Sequence, residues 1–127
     1  MKYALFLALA GALSATAADA QMGPPRPMTA GQFANSTSGQ DVILAVRVET
    51  LARTTLDADL LERVTDSRYR TTGKRVVLYL AAETPFVMGS IADVKPGAII
   101  FVYGVTTTAG HADVKKVVVV TPYAKVE

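Results

Sequence analysis

The sequence predicts a mainly β protein, a small barrel of five strands with one short helix or loop insertion. Three observations carry that expectation. Apolar residues recur in short alternating or continuous runs, Gly and Pro punctuate the spaces between them, and cysteine is absent from all 127 residues. Without disulfides the fold rests on its core alone. Closing the sheet hides the edges that strands as apolar as these otherwise expose.

Residues 1–20 stand apart from the fold. Lys2 gives a positive start, "YALFLALAGALSA" is an apolar run of signal-peptide length, and Ala18 to Ala20, "ADA", forms a cleavage site before Gln21. The expectation is an exported bacterial chain, periplasmic or secreted. No later run approaches the roughly 20 apolar residues of a membrane span, so no stable membrane insertion is expected after cleavage. The net charge of +2 survives removal of Lys2 and Asp19, and is too small to demand a polyanionic partner.

Residues 21–40, "QMGPPRPMTAGQFANSTSGQ", are dense in Pro, Gly, Ser and Thr, with Met22, Met28 and Phe33 as the larger apolar groups. Such a stretch buries too little surface to offset its ordering entropy and is expected to be a flexible arm. Residues 41–127 form the barrel domain.

The first strand is "DVILAVRVETLA", with Ile43, Ala45 and Arg47 on one face and Val42, Leu44, Val46 and Val48 on the other. In "TTLDADLLERVTD", Leu56, Leu60, Leu61 and Val64 share a helical face, Thr55 is a cap, and Asp57 and Asp59 fall in the first turn. A short helix is expected there, with a β excursion as the alternative. "SRYRTTGKRVVLYLA" reads as a hairpin turning at Thr71 to Lys74, its second strand alternating Val76, Leu78 and Leu80 against Val77 and Tyr79. "ETPFVMGS" leaves the sheet through Pro85 and reverses near Gly89. "AIIFVYGVTT" and "ADVKKVVVVTPY" are the last two strands, joined through Gly110.

The stretch from Thr84 to Gly104 supplies a barrel corner. Ile91 and Val94 are placed to plug one end, Gly97 permits the positive φ that "KPG" needs, and Gly104 permits a bulge. Thr84 and Phe86, then Ala92, Asp93, Val94, Lys95, Pro96 and Gly97, then Val102 and Gly104, resemble the pattern of a family of small extracytoplasmic β-barrel domains. That family is related to the oligonucleotide/oligosaccharide-binding (OB) fold. The resemblance extends from Val76 to Val120 and is loose over the first strand. It implies an OB-like barrel outside the cytoplasm and no assigned biochemical function, because its residues are those of turns and core.

Chemistry is sparse. His111 is the sole histidine, in a turn with only Asp113 beside it, and Ser36, Ser38, Ser67 and Ser90 lie in no G-x-S-x-G elbow. Asp57 and Asp59 lack the alternating oxygen ligands and glycine of a calcium loop. Neither an enzyme nor a cofactor is expected. Arg68, Tyr69, Arg70, Lys74, Arg75 and Tyr79, joined by Tyr103, interleave basic and aromatic groups and are the candidate ligand-binding residues. Lys115 and Lys116 read as an edge or turn guard. The favoured function is a non-catalytic interaction module of the cell envelope, with a protein or glycan partner. The alternative is single-stranded nucleic acid or another polyanion bound on the basic and aromatic face.

Overall fold

A computed structural model describes residues 26–127, so the expected leader and cleavage site and residues 21–25 of the expected arm lie outside the described residues. One helix, α1 (Ala30–Ala34), precedes seven strands: β1 (Asp41–Ala52), β2 (Thr55–Arg63), β3 (Arg68–Tyr79), β4 (Phe86–Met88), β5 (Ile99–Thr108), β6 (His111–Val119) and β7 (Lys125–Val126). Their order is β4-β6-β5-β1-β2-β3-β7, and β3 also meets β6. The five long strands therefore form a ring, β1-β2-β3-β6-β5. Its seam is a short parallel contact in which Val77, Leu78 and Tyr79 face His111, Ala112 and Asp113. The ring is partial, because the start of β3 pairs instead with β7. The chain is mainly β, as the alternating runs require.

The interior follows the period of two. Val42, Leu44, Val46 and Val48 of β1 point inward with Leu56, Ala58 and Leu60 of β2, Val76 and Leu78 of β3, Ile100 and Val102 of β5, and Val117 of β6. A second, smaller core lies on the outside of the ring. Ala45, Ile99 and Phe101 belong to the outward register, and they are covered by Leu61, Tyr69, Ala124 and Val126. The β2–β3 tip and the C-terminal tail thus fold over β1 and β5. The tail is held by hydrogen bonds from Lys125 N to the Ser67 carbonyl and from Glu127 N to the Tyr69 carbonyl.

Two sequence expectations are corrected here. Residues 56–63 are not a helix but the β alternative, part of strand β2, paired with both β1 and β3, and Val64 lies just beyond its end. Leu56 and Leu60 are four apart and satisfy either period, but Ala58 is also buried while Asp57 and Asp59 face out, and that alternation belongs to a strand. The second correction concerns "TTGK", which is no hairpin turn. It is a bulge inside one continuous strand, where the β2 partner advances from Asp59 to Leu61 while β3 runs from Arg75 to Thr71. Gly73 has φ 79°, and Thr72 Oγ1 donates to the Leu60 carbonyl and accepts from Lys74 N. A positive-φ glycine serves a bulge as readily as a turn. Five long strands are present, but one was read as helix and one as two strands.

The part of the arm from Met28 onward is packed. Met28 N donates to the Ile43 carbonyl, Thr29 and Gln32 form a reciprocal cap on α1, and Phe33 is 5% exposed in the barrel core. Ser36 Oγ lies 2.9 Å from Thr106 Oγ1, and Gly39 N donates to the Thr106 carbonyl. This stretch closes the barrel end formed by Val42 and Thr106. One aromatic plug, which a composition average dilutes, orders it.

The Pro96–Gly97 corner closes the opposite end. Asp93 Oδ2 accepts from Ser90 N, Val94 is buried, and Gly97, at φ 90°, donates its N–H to the Val48 carbonyl while Val48 N donates to the Ala98 carbonyl. Ile91, expected as a second plug, is exposed. Of the two expected plugs, only Val94 reaches the core.

Candidate binding surfaces

The structure divides the residues of the basic and aromatic face. Arg68, Arg70 and Arg75 point outward and each meets a carboxylate: Arg68 pairs with Glu127, Arg70 with Glu62 at 3.4 Å, and Arg75 with Asp59 at 3.2 Å and Glu49 at 4.0 Å. Tyr69 points the other way and is 2% exposed in the outer core, edge-on to Phe101 with ring centres 5.8 Å apart. Burial pushes its phenol above the ordinary value. Its ring is unavailable for stacking on a base. Lys74 is exposed on the bulge. Tyr79 is partly exposed and stacks on His111 with ring centres 6.1 Å apart. Tyr103 lies elsewhere, on β5.

The ion pairs form a ladder across three strands. Arg47, Asp59 and Arg75 are direct cross-strand neighbours on β1, β2 and β3, and Asp59 contacts both guanidinium groups. Burial raises the pKa of Asp59, but the hydrogen bond from Arg47 and the charges of Arg75 and Arg47 outweigh it. The net direction is down, and the carboxylate is held ionised.

Sequence reasoning did not single out two concave regions. The first, of about 540 Å³, lies at the corner end. Met88, Val119, Pro122 and Tyr123 give it apolar walls, Lys95 and Asp93 give it a charged lip, and Gly97 lies on its floor. Tyr123 is 65% exposed, and Val87, Met88 and Ile91 expose apolar groups nearby. Gly89 makes the wall tight: with φ 78°, a Cβ there would lie 2.7 Å from a Val119 methyl. The signal was present in Asp93 to Gly97, read as architecture alone.

The second concavity, of about 380 Å³, lies at the arm end between β1 and the β5–β6 pair. It brings Tyr103 together with Arg26 and Lys115. Lys115 and Lys116 fall in the gap between the β6 residues that pair with β3, His111 to Asp113, and those that pair with β4, Val117 and Val118. Among the described residues that side of β6 has no strand neighbour at the two lysines, which is compatible with an edge guard.

Among the described residues no helix is long and apolar enough to cross a membrane, and no group of three or more His, Cys, Asp or Glu is placed to hold a metal ion. Comparison with protein-family models, with curated proteins and with solved structures finds no match to this chain.

Proposed function

We propose that this chain is an exported, non-catalytic binding module, OB-like in architecture, that docks a protein partner through the corner groove. The observation that carries the reading is that groove: a concavity of about 540 Å³ with exposed Met88 and Tyr123 on a framework fixed by backbone pairing to β1. Exposed Met and Tyr are the side chains that binding surfaces favour, since Met adapts its shape and Tyr offers rigid area. Beside the groove, β4 is the terminal strand of the sheet, and its far edge has no strand neighbour among the described residues. The partner is therefore a segment of another envelope protein with an apolar anchor. Export rests on Lys2, the apolar run and the Ala18 to Ala20 site.

Photo-crosslinking in the producing cell tests the reading. A benzophenone amino acid at Met88 or at Tyr123 is expected to give the same adduct, which is absent when the probe stands at Lys74. The Met88 adduct is expected to disappear when Tyr123→Ser is added. Adducts equal at all three positions, or none from the groove, would overturn the docking site. N-terminal sequencing of the extracellular or periplasmic form is expected to begin at Gln21, and an uncleaved chain in the cytoplasm would remove the export reading.

A further inference from the structure

The arm-end cavity has a chemistry unlike that of the corner groove, and β6 is irregular where it borders the cavity. Tyr103 pairs with Lys116, but the next β5 residue, Gly104, pairs with Val114, so Lys115 is an extra residue in a bulge. Val114 and Val117 point into the barrel, and the two lysines between them both turn outward. Gly104 is what permits this approach. A Cβ there would stand 2.3 Å from the Asp113 carbonyl oxygen.

The result is a compact set of groups around one hollow. Lys116 Nζ sits 4.1 Å from the centre of the Tyr103 ring. Arg26 and Lys115 line the cavity, with Met28 and Ile43 as its apolar floor and Asp41 as its one acid. Among the described residues, Arg26, Lys115 and Lys116 make no ion pair, whereas Arg47, Arg63, Arg68, Arg70 and Arg75 each do. These are cations whose hydrogen bonds remain to be given.

We infer that this hollow, lined by Arg26, Asp41, Tyr103 and Lys115 with Lys116 over the Tyr103 ring, is a binding site for a carboxylated sugar unit, free or at the end of a glycan. Each feature of the cavity matches one feature of that ligand. Arg26 and Lys115 are donors for a carboxylate, with Lys116 adding positive charge beside Tyr103, and charge-assisted hydrogen bonds of this kind are the strong ones. Asp41 accepts hydrogen bonds from sugar hydroxyls. Met28 and Ile43 meet the C–H face of the ring. A nucleic-acid strand fits less well. Lys116 already covers one face of Tyr103, and a cavity of about 380 Å³ lies near the small end of ligand sites rather than forming a continuous groove. The site shares no residue with the corner groove, so either stands if the other fails.

The test is a titration of the isotopically labelled protein at about 0.15 M salt, where long-range attraction between exposed charges is screened. The probes are glucuronate, a glucuronate-terminated disaccharide, glucose and a short deoxythymidine oligonucleotide. Saturable shifts are expected at the amides of Ile43, Gly104, Lys115 and Lys116 with the first two probes and not with glucose. Tighter binding of the disaccharide than of glucuronate would assign the site to a glycan end. Lys115→Gln with Lys116→Gln is expected to weaken glucuronate binding about tenfold or more, and Tyr103→Leu to weaken it as well, with the rest of the spectrum unchanged. The inference is overturned if glucose and glucuronate behave alike, if the double variant binds as the parent does, or if the oligonucleotide occupies the same amides more tightly than either acid.

Discussion

Two cationic surfaces of this barrel carry the same sign of charge and differ in whether that charge can be used. On β1–β3 every arginine in the outward register faces a carboxylate, and Asp59 alone serves Arg47 and Arg75. On β5–β6 a bulge turns Lys115 and Lys116 to the same side beside Tyr103, with no carboxylate paired to either among the described residues. Count and spacing in the sequence favour the first surface. Pairing in three dimensions favours the second, because a guanidinium already bound to a carboxylate must give up that partner before it meets another anion.

Removing the scaffold of the lysine surface breaks the comparison most severely. In Gly104→Val the new Cβ meets the Asp113 carbonyl, which is backbone and cannot swing away. The β5–β6 ladder must part, at a cost of about 3 kcal/mol by analogy with overpacked cores. Urea denaturation is expected to show that loss, while Arg47, Asp59 and Arg75, on the opposite strands, keep their native amide shifts. A variant as stable as the parent would mean that the bulge is not held by this close approach.

The sheet was legible wherever one face is wet. The alternation of Val42 to Val48 and of Val76 to Leu80 specified both strand and facing, and the corner residues Asp93 to Gly97 were placed in the turn that they form. The β1–β2 connection was not legible. Its two-residue turn is Arg53–Thr54, with Arg53 at φ 58°, where Asn or Gly is the usual sign of a hairpin. Lacking that sign, β2 was read by its Leu56 and Leu60 spacing as a helix. Conversely Gly73 announced a turn and delivered a bulge. The surroundings of the candidate site were hidden for a related reason. Arg68 to Arg75 are adjacent in the chain, but their carboxylate partners Glu49, Asp59, Glu62 and Glu127 come from β1, β2 and the tail. Lys115 and Lys116 look like successive strand residues facing opposite ways until the bulge is known.

Asp59 offers the next sharpest test, aimed at the arginine surface. Asp59→Ala leaves Arg47 without a carboxylate and Arg75 with Glu49 alone, and the expected loss is about 1 kcal/mol of stability by urea denaturation. The pH dependence has a defined sign. The folded-state pKa of Asp59 lies below its ordinary value of 3.8, so its stabilising contribution is complete above that value and is lost as pH falls through the folded pKa. Stability measured from about pH 5 down to pH 2 is therefore expected to fall less steeply in Asp59→Asn than in the parent. Parallel curves would show that the ladder contributes nothing specific at this carboxylate.

The smallest expected effect is also the one that separates the two surfaces most cleanly. Arg68 and Arg70 are more than half exposed, and their pairs with Glu127 and Glu62 are open to water. Exposed pairs are screened and contribute little, so Arg68→Gln with Arg70→Gln is expected to change stability by less than about 0.5 kcal/mol. The same double variant is expected to elute from a heparin column at nearly the parent's salt concentration, whereas Lys115→Gln with Lys116→Gln elutes distinctly earlier. Both variants remove two positive charges, so a net-charge account predicts equal shifts. An earlier elution confined to the arginine variant would restore the basic face of β3 as the polyanion surface. It would mean that the ion pairs with Glu62 and Glu127 open readily, and that availability is set by exposure rather than by pairing.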